Sequence, residues 1–200
     1  MNATADTLLP LAGFAAPVDE AQASFRQALD ALAQPGRVTA MPGSQALPPG
    51  MGRAMTALLL TLADADTPVW LPPGLHPAVA AYLRFHCGCP LTEEAALATF
   101  VAVPAGHAAP ALSQLAQGDP AYPDRSATLI LEVDGLAQDA GARLAGPGIA
   151  GRRQLAVQGL PEGFWAEWGR NHQRFPLGVD VFFTRAEQMS GLPRSTAVEA

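Results

Sequence analysis

Between Ser126 and Val133 the sequence reads SATLILEV, a nearly unbroken apolar run of strand-forming residues. A strand that alternates apolar and polar side chains can leave one face in water. A run that is apolar at successive positions has two faces to hide, so it belongs inside a sheet covered on both sides. This stretch therefore suits a strand whose two faces are both covered, and the cover has to come from elsewhere in the chain.

The rest of the chain supplies the cover. Pro17 suits a helix start, Asp19 and Glu20 suit the positive end of its dipole, and Pro35-Gly36 stops the run. Val18, Ala21, Phe25, Ala28, Leu29 and Leu32 recur at steps of three and four and share one face. A second helix is predicted over Met51–Ala63, central because almost none of its surface is polar, and a third over Pro77–Cys87. A short helix over Ala111–Gln117 and a fourth long one over Pro161–Arg174 follow. Strands are predicted at Val38–Met41, Thr67–Leu71, Phe100–Val103, Ser126–Val133 and Val179–Phe183. Leu144 and Gln154–Val157 read as a hairpin around a Gly-rich turn, residues 1–16 as an extended arm, and the end of the chain as a short extended tail. Helices and strands interleave throughout, with no repeat and no linker. One domain over residues 1–200 is expected: an α/β three-layer sandwich, its sheet mixed because of the hairpin.

Composition narrows the chemistry. The twelve positive side chains are all arginine, so the chain has no lysine. An arginine stays charged at any working pH, so no side-chain amine is available as a nucleophile or for a Schiff base. The net charge of −6 and the lack of a basic run longer than Arg152-Arg153 argue against nucleic acid as a partner. The longest apolar run, around Ala57 to Ala63, falls short of the ~20 residues needed to cross a bilayer. The first residues carry an acid and no positive charge, unlike a secretory signal, so a cytosolic protein without membrane contact is expected. Charged residues make up only 15%, against a typical ~25%. Either a partner covers part of the surface or alanine has diluted the charge.

Several local patterns bear on a site. Cys87 and Cys89 beside His86 form H-C-G-C, which reads either as a metal cluster or as a helix end closed by Gly88 and Pro90. Gly146-Pro147-Gly148-Ile149-Ala150-Gly151 is a literal G-x-G-x-x-G. A dinucleotide loop would need a helix after it, whereas residues 152–157 alternate like a strand and Pro147 removes a donor. That leaves a hairpin turn, or an anion-holding loop in which Gly146 and Gly148 work with Arg152 and Arg153. Arg194, beside Ser195 and Thr196, is either a phosphate-gripping fork or a surface arginine. Asp64, Asp66 and Asp180 sit at strand edges, as turn residues or as metal or base groups. His76, His86, His107 and His172 are scattered and join no recognisable motif. No metal site and no catalytic residue is expected from these patterns.

Taken in order, a set of stretches resembles one family, the H subunit (PhnH) of the bacterial carbon–phosphorus lyase core complex. It begins with Phe14, Pro17-Val18-Asp19-Glu20-Ala21-Gln22, Phe25-Arg26 and Gln34-Pro35-Gly36-Arg37. Leu62 through Asp66-Thr67 to Trp70-Leu71 follows, then Gly118-Asp119, then Tyr122-Pro123 before Ser126-Ala127-Thr128-Leu129. Leu144 with Gly146-Pro147-Gly148-Ile149, then Phe175-Pro176-Leu177-Gly178-Val179-Asp180, and Gly191-Leu192-Pro193-Arg194-Ser195-Thr196 complete it. Ser195 stands where the family pattern has threonine, and it keeps the hydroxyl.

The resemblance implies a role in organophosphonate breakdown. In that pathway the G, H, I and L subunits are linked to displacing adenine from ATP with the phosphonate, and the J subunit later breaks the C–P bond. The resemblance further implies a homodimer in isolation, docking to the G, I and J subunits, and an accessory subunit without catalytic residues. It also implies a compact version of the pyridoxal-phosphate-dependent transferase fold with no cofactor. The missing lysine agrees, since such an enzyme holds pyridoxal phosphate as a lysine Schiff base.

Overall fold

The computed structural model describes residues 11–199. Its helices are α1 (Pro17–Ala33), α2 (Arg53–Leu62), α3 (Pro77–Cys87) and α4 (Phe164–Gln173). Its strands are β1 (Thr39–Ala40), β2 (Val69–Trp70), β3 (Leu91–Thr92), β4 (Phe100–Val103), β5 (Thr128–Glu132), β6 (Gly135–Ala145), β7 (Arg153–Gln158), β8 (Asp180–Arg185), β9 (Gln188–Leu192) and β10 (Ala197–Glu199).

The apolar run lies where its composition demands. Strand β5 is inside a seven-stranded sheet of order β1-β9-β8-β5-β4-β2-β3, parallel to β4 on one side and β8 on the other. Alternate side chains go to opposite faces. Ile130, with Ala102 and Phe182 from the neighbouring strands, meets α1, α2 and α3. Leu129 and Leu131, with Val101, Val103, Val181 and Phe183, meet the opposite layer. Helix α2 is as central as its composition requires: Ala54 through Leu59 are all buried. Each of Met55, Leu58 and Leu59 removed from water contributes roughly 1.5–3 kcal/mol.

The α/β class and the mixed sheet hold, but the mixing has another source. The hairpin expected to enter the main sheet, β6–β7, forms a separate three-stranded sheet of order β10-β6-β7. The reversed strand of the main sheet is β9, antiparallel to both β8 and β1. The layer opposite α1–α3 is thus built from α4 together with this small sheet, through Leu136, Leu144, Leu155, Phe164 and Trp168. The extended tail is corrected as well: β9 completes the large sheet and β10 the small one. Helix Ala111–Gln117 shrinks to a single 3₁₀ turn at Leu112–Gln114, and the short strand β3 was not anticipated.

Helix α1 reverses an ordinary expectation. Its buried residues are the small Ser24, Ala28 and Ala31, while Val18, Phe25 and Leu29 are 81%, 45% and 52% exposed. The small side is required because β9 runs directly beneath. A Cβ on Gly191 would lie 2.6 Å from the Ala31 backbone. The helix is anchored at its start by Glu20, whose Oε1 accepts from the Ala16 N–H at 2.8 Å and whose Oε2 accepts from the Ser44 N–H at 2.7 Å. The Ala16 and Ser44 N–H groups hold this carboxyl below its ordinary value. Of the expected arm over 1–16, the first ten residues lie outside the described residues. The next ones run along α3, where the Leu11 carbonyl is 2.7 Å from His86 Nε2.

Candidate functional site

The Gly-rich turn joins β6 to β7, as a hairpin reading requires. Two of its glycines are fixed by close approach. Gly148 has φ +78°, and a Cβ there would lie 1.9 Å from the Ala33 carbonyl at the end of α1. Gly146 has φ +143°, with the Ser195 carbonyl 3.0 Å from the same position. The turn is therefore wedged between the end of α1 and the segment leading into β10.

The two arginines that follow behave differently. Arg153 turns inward, and its Nη1 donates to the carbonyls of Gln34 at 3.0 Å and Pro35 at 2.8 Å, closing the end of α1. Arg152 stays in solvent and meets Glu199 of β10 at 3.4 Å, both side chains 61% exposed. Together with Arg143, Asp139 and Gln154 they line an open groove of about 520 Å³ on the outer side of the hairpin. Gly146 and Gly148 do not line it.

Arg194 lies elsewhere and is fully engaged. Its Nε donates to Asp180 Oδ1 at 3.1 Å and its Nη2 to Asp180 Oδ2 at 2.6 Å. The other Nη2 hydrogen goes to Ser126 Oγ, and Nη1 serves the carbonyls of Pro123 at 2.9 Å and Pro176 at 3.4 Å. A guanidinium has five N–H donors, and each has an acceptor here. The backbone N–H of Arg194 adds a sixth contact, to Asp180 Oδ1 at 2.7 Å. This fork holds three chain segments together instead of facing an opening.

These contacts give the ordered sequence stretches a physical meaning. Gln34-Pro35-Gly36, Leu144 with Gly146-Pro147-Gly148, and Gly191 meet at one node. There Arg153 grips two carbonyls, Gly36 N–H reaches the Gly191 carbonyl at 3.3 Å, and a Cβ on Gly36 would strike Leu144 Cδ1 at 2.5 Å. Pro123, Ser126, Pro176, Asp180 and Arg194 meet at a second. Of the residues expected at one site, the structure brings Gly146, Gly148, Arg152 and Arg153 onto one hairpin and sets Arg194 in a separate node.

The other candidates resolve locally. Asp64 Oδ1 accepts from the Asp66 N–H and the Thr67 hydroxyl, both at 3.0 Å, so this is a turn closed by its own side chain. His76 caps α3 by accepting from the Ala78 N–H at 3.1 Å. Gly88 ends α3 with a left-handed φ of +65°, and Cys89 beyond it is buried. The hydrogen bond to Cys89 and burial push the Cys87 thiol up, away from the reactive thiolate. His172 Nδ1 lies 2.9 Å from the Arg194 carbonyl.

Sequence reasoning singled out no residue of a second opening, between α4 and the 112–117 segment, which includes Glu167, Arg170 and Arg174. Residues three and four apart on a helix share a face, but nothing in the sequence tells which wall stands opposite them.

Comparison with known proteins agrees with the ordered stretches. A family model described as "Bacterial phosphonate metabolism protein (PhnH)" matches residues 12–199. The chain is 39% identical over 197 residues to "Alpha-D-ribose 1-methylphosphonate 5-triphosphate synthase subunit PhnH" of Rhizobium meliloti (strain 1021), covering 98% of each protein. It is 30% identical over 177 residues to HtxG of Stutzerimonas stutzeri, provisionally named a C-P lyase subunit protein, covering 88% of this chain and 85% of that one.

Proposed function

The chain belongs to the PhnH family of bacterial phosphonate metabolism proteins, and on that premise we propose that it is an accessory subunit of a carbon–phosphorus lyase complex. Its role is to support formation of ribose 1-phosphonate 5-triphosphate from ATP and a phosphonate. The observation that carries this reading is the end-to-end match to a chain named as a subunit of that synthase, with 98% of each protein covered. The same proposal makes the chain a cytoplasmic homodimer in isolation and a partner of the G, I and J subunits in the complex. It also includes a fold kinship with pyridoxal-phosphate transferases without the cofactor; the missing lysine bears on the cofactor alone, since no Schiff base can form.

Two features support association. The nodes around Arg153 and Arg194 spend the family's characteristic residues on architecture. The stripe Val18, Phe25 and Leu29 leaves three large apolar side chains of one helix in water, a pattern that marks contact surfaces. Co-expression of the tagged chain with the G, I and J subunits is the test. Co-elution of all four is expected, and elution of this chain alone would overturn the reading.

A second reading is favoured by the groove of Asp139, Arg143, Arg152, Arg153 and Gln154. Here the chain lends arginines to a composite nucleotide or phosphonate site completed inside the complex. Arg143 and Arg152 carry this reading, because Arg153 and Arg194 already serve internal acceptors and Gly146 and Gly148 act through backbone packing. Arg143→Ala with Arg152→Ala is then expected to abolish activity of the assembled complex while leaving co-elution intact.

A further inference from the structure

Helix α4 turns one face, carrying Glu167, Arg170 and Asn171 and continued by its C-cap Arg174, toward a cleft of about 340 Å³. The facing wall is formed by Leu112, Ser113 and Gln117. That volume sits near the lower end of the roughly 300–1,000 Å³ typical of small-molecule sites. Several polar groups around it are already committed. The Asn171 side chain pairs with the backbone of Val179 at 2.9 and 2.8 Å. Gln117 Nε2 donates to the carbonyls of Leu112 at 2.7 Å and Leu115 at 2.8 Å. Glu167 Oε2 accepts from the Leu112 N–H at 3.1 Å.

The two arginines are not committed in this way. The ion pairs among the described residues are Arg152–Glu199 and Arg194–Asp180, and neither Arg170 nor Arg174 takes part in one. They stand one turn apart on the helix, where like charges repel by about 0.2–0.5 kcal/mol. The helix dipole favours positive charge in this last turn. Four-residue spacing sets both forks on the face that borders the cleft, and His172, two residues from each, reaches away to the Arg194 carbonyl. A doubly charged oxyanion between the forks would turn their repulsion into two charge-assisted contacts. One turn before Arg170 on the same face, Glu167 keeps Oε1 as an acceptor, and across the cleft Ser113 offers a hydroxyl, so the remainder of a ligand meets groups suited to hydroxyls.

We propose that the cleft between α4 and residues 112–117 binds a small phosphorylated sugar, its phosphate or phosphonate group held by Arg170 and Arg174 and its hydroxyls facing Glu167 and Ser113. This site is separate from the hairpin groove and stands whether or not the subunit reading does. Calorimetric titration of the full chain with ribose 5-phosphate, inorganic phosphate and ribose tests it. Ribose 5-phosphate is expected to bind more tightly than inorganic phosphate, and ribose alone to give no saturable heat. Arg170→Ala and Arg174→Ala should each weaken ribose 5-phosphate binding by about tenfold or more, and Arg26→Ala, on exposed α1, should leave it unchanged. Glu167→Gln should reduce the preference for ribose 5-phosphate over inorganic phosphate. Both arginines are exposed, so the variants are expected to fold, and near-ultraviolet circular dichroism checks that they do. Absence of saturable binding, or binding that survives the double variant, overturns the site. Equal affinity for inorganic phosphate and ribose 5-phosphate overturns the sugar assignment. Co-elution with the other subunits, which tests the subunit reading, is measured independently of any of these titrations.

Discussion

Asp180, the first residue of β8, and Arg194, two residues beyond β9, meet fork to fork, with Nε to Oδ1 at 3.1 Å and Nη2 to Oδ2 at 2.6 Å. The Asp180 side chain is 20% exposed and that of Arg194 12%, so little water screens the pair. Through Ser126, Pro123 and Pro176 the same guanidinium ties down the approach to β5 and the loop between α4 and β8.

Arg194→Ala is therefore expected to cost about 3 kcal/mol, because it strands a mostly buried carboxylate and several carbonyls at once. Arg194→Lys keeps the charge but not the planar fork, and should still cost about 2 kcal/mol. Urea denaturation measures both. A loss below about 1 kcal/mol for the alanine variant would mean that the node bears little of the fold's stability.

Two glycines of one turn should respond differently to alanine. Gly148 and Gly151 have the same φ of +78°, but a Cβ on Gly148 would meet the Ala33 carbonyl at 1.9 Å and one on Gly151 meets nothing within 4 Å. Gly151→Ala carries only the left-handed backbone cost of about 1 kcal/mol. Gly148→Ala should cost more, about 3 kcal/mol, since the turn must also lift off α1. Thermal unfolding of the pair decides it, and equal shifts would contradict the wedge.

Arg152 and Arg153 should separate in the same way. Arg152→Ala removes one exposed ion pair and is expected to change stability by less than about 0.5 kcal/mol. Arg153→Ala leaves the Gln34 and Pro35 carbonyls without their donor and should cost about 1–2 kcal/mol. Chemical denaturation of the two single variants is the check.

Glu132 gives a pH dependence with a definite sign. Its carboxylate sits at the start of α2, where Oε2 accepts from the Gly52 N–H at 2.9 Å, yet burial outweighs the Gly52 and Ala186 N–H groups and raises its pKa above 4.5. Between 4.5 and its folded value the native state binds more protons than the unfolded state, so stability falls as pH rises through that window. Glu132→Gln has no such titration. The stability of the wild type relative to this variant should decline from pH 4.5 upward, measured by urea midpoints across that range, and a difference that rises with pH would contradict the burial argument.

Local signals were legible wherever a segment's own residues determine it. Helix α3 runs from Pro77 to Cys87 as read, because proline starts it and Gly88 takes the left-handed stop. Strand β4 also keeps its expected bounds, since all four residues are apolar and buried. Strand β9, QMSGL, was read as tail because close packing erased its pattern: Gly191 lies against the Ala31 backbone, so no large side chain fits there to mark a strand. Strand β6 was seen only at Leu144, because the register skips between Gln138 and Ala142 and Asp139 and Gly141 have positive φ. The stripe on α1 is periodic, but periodicity reports that a face exists and not which way it points. In the sequence Arg194 reads equally as a ligand fork or a surface charge. Its actual partner, Asp180, was read as a separate edge residue, and nothing local links two positions that only the β8–β9 hairpin brings together.

That hairpin and the strand after it also set a timetable. Strand β9 is the last partner of β8, and β10 closes the open side of β6, so both sheets are finished by residues 188–199. A nascent chain with this segment still inside the ribosome presents two bare edges, each a template for another strand. Domains fold as units during synthesis, and this unit closes only once residues 188–199 have emerged. A stop codon before Gln188 would leave both edges bare for good.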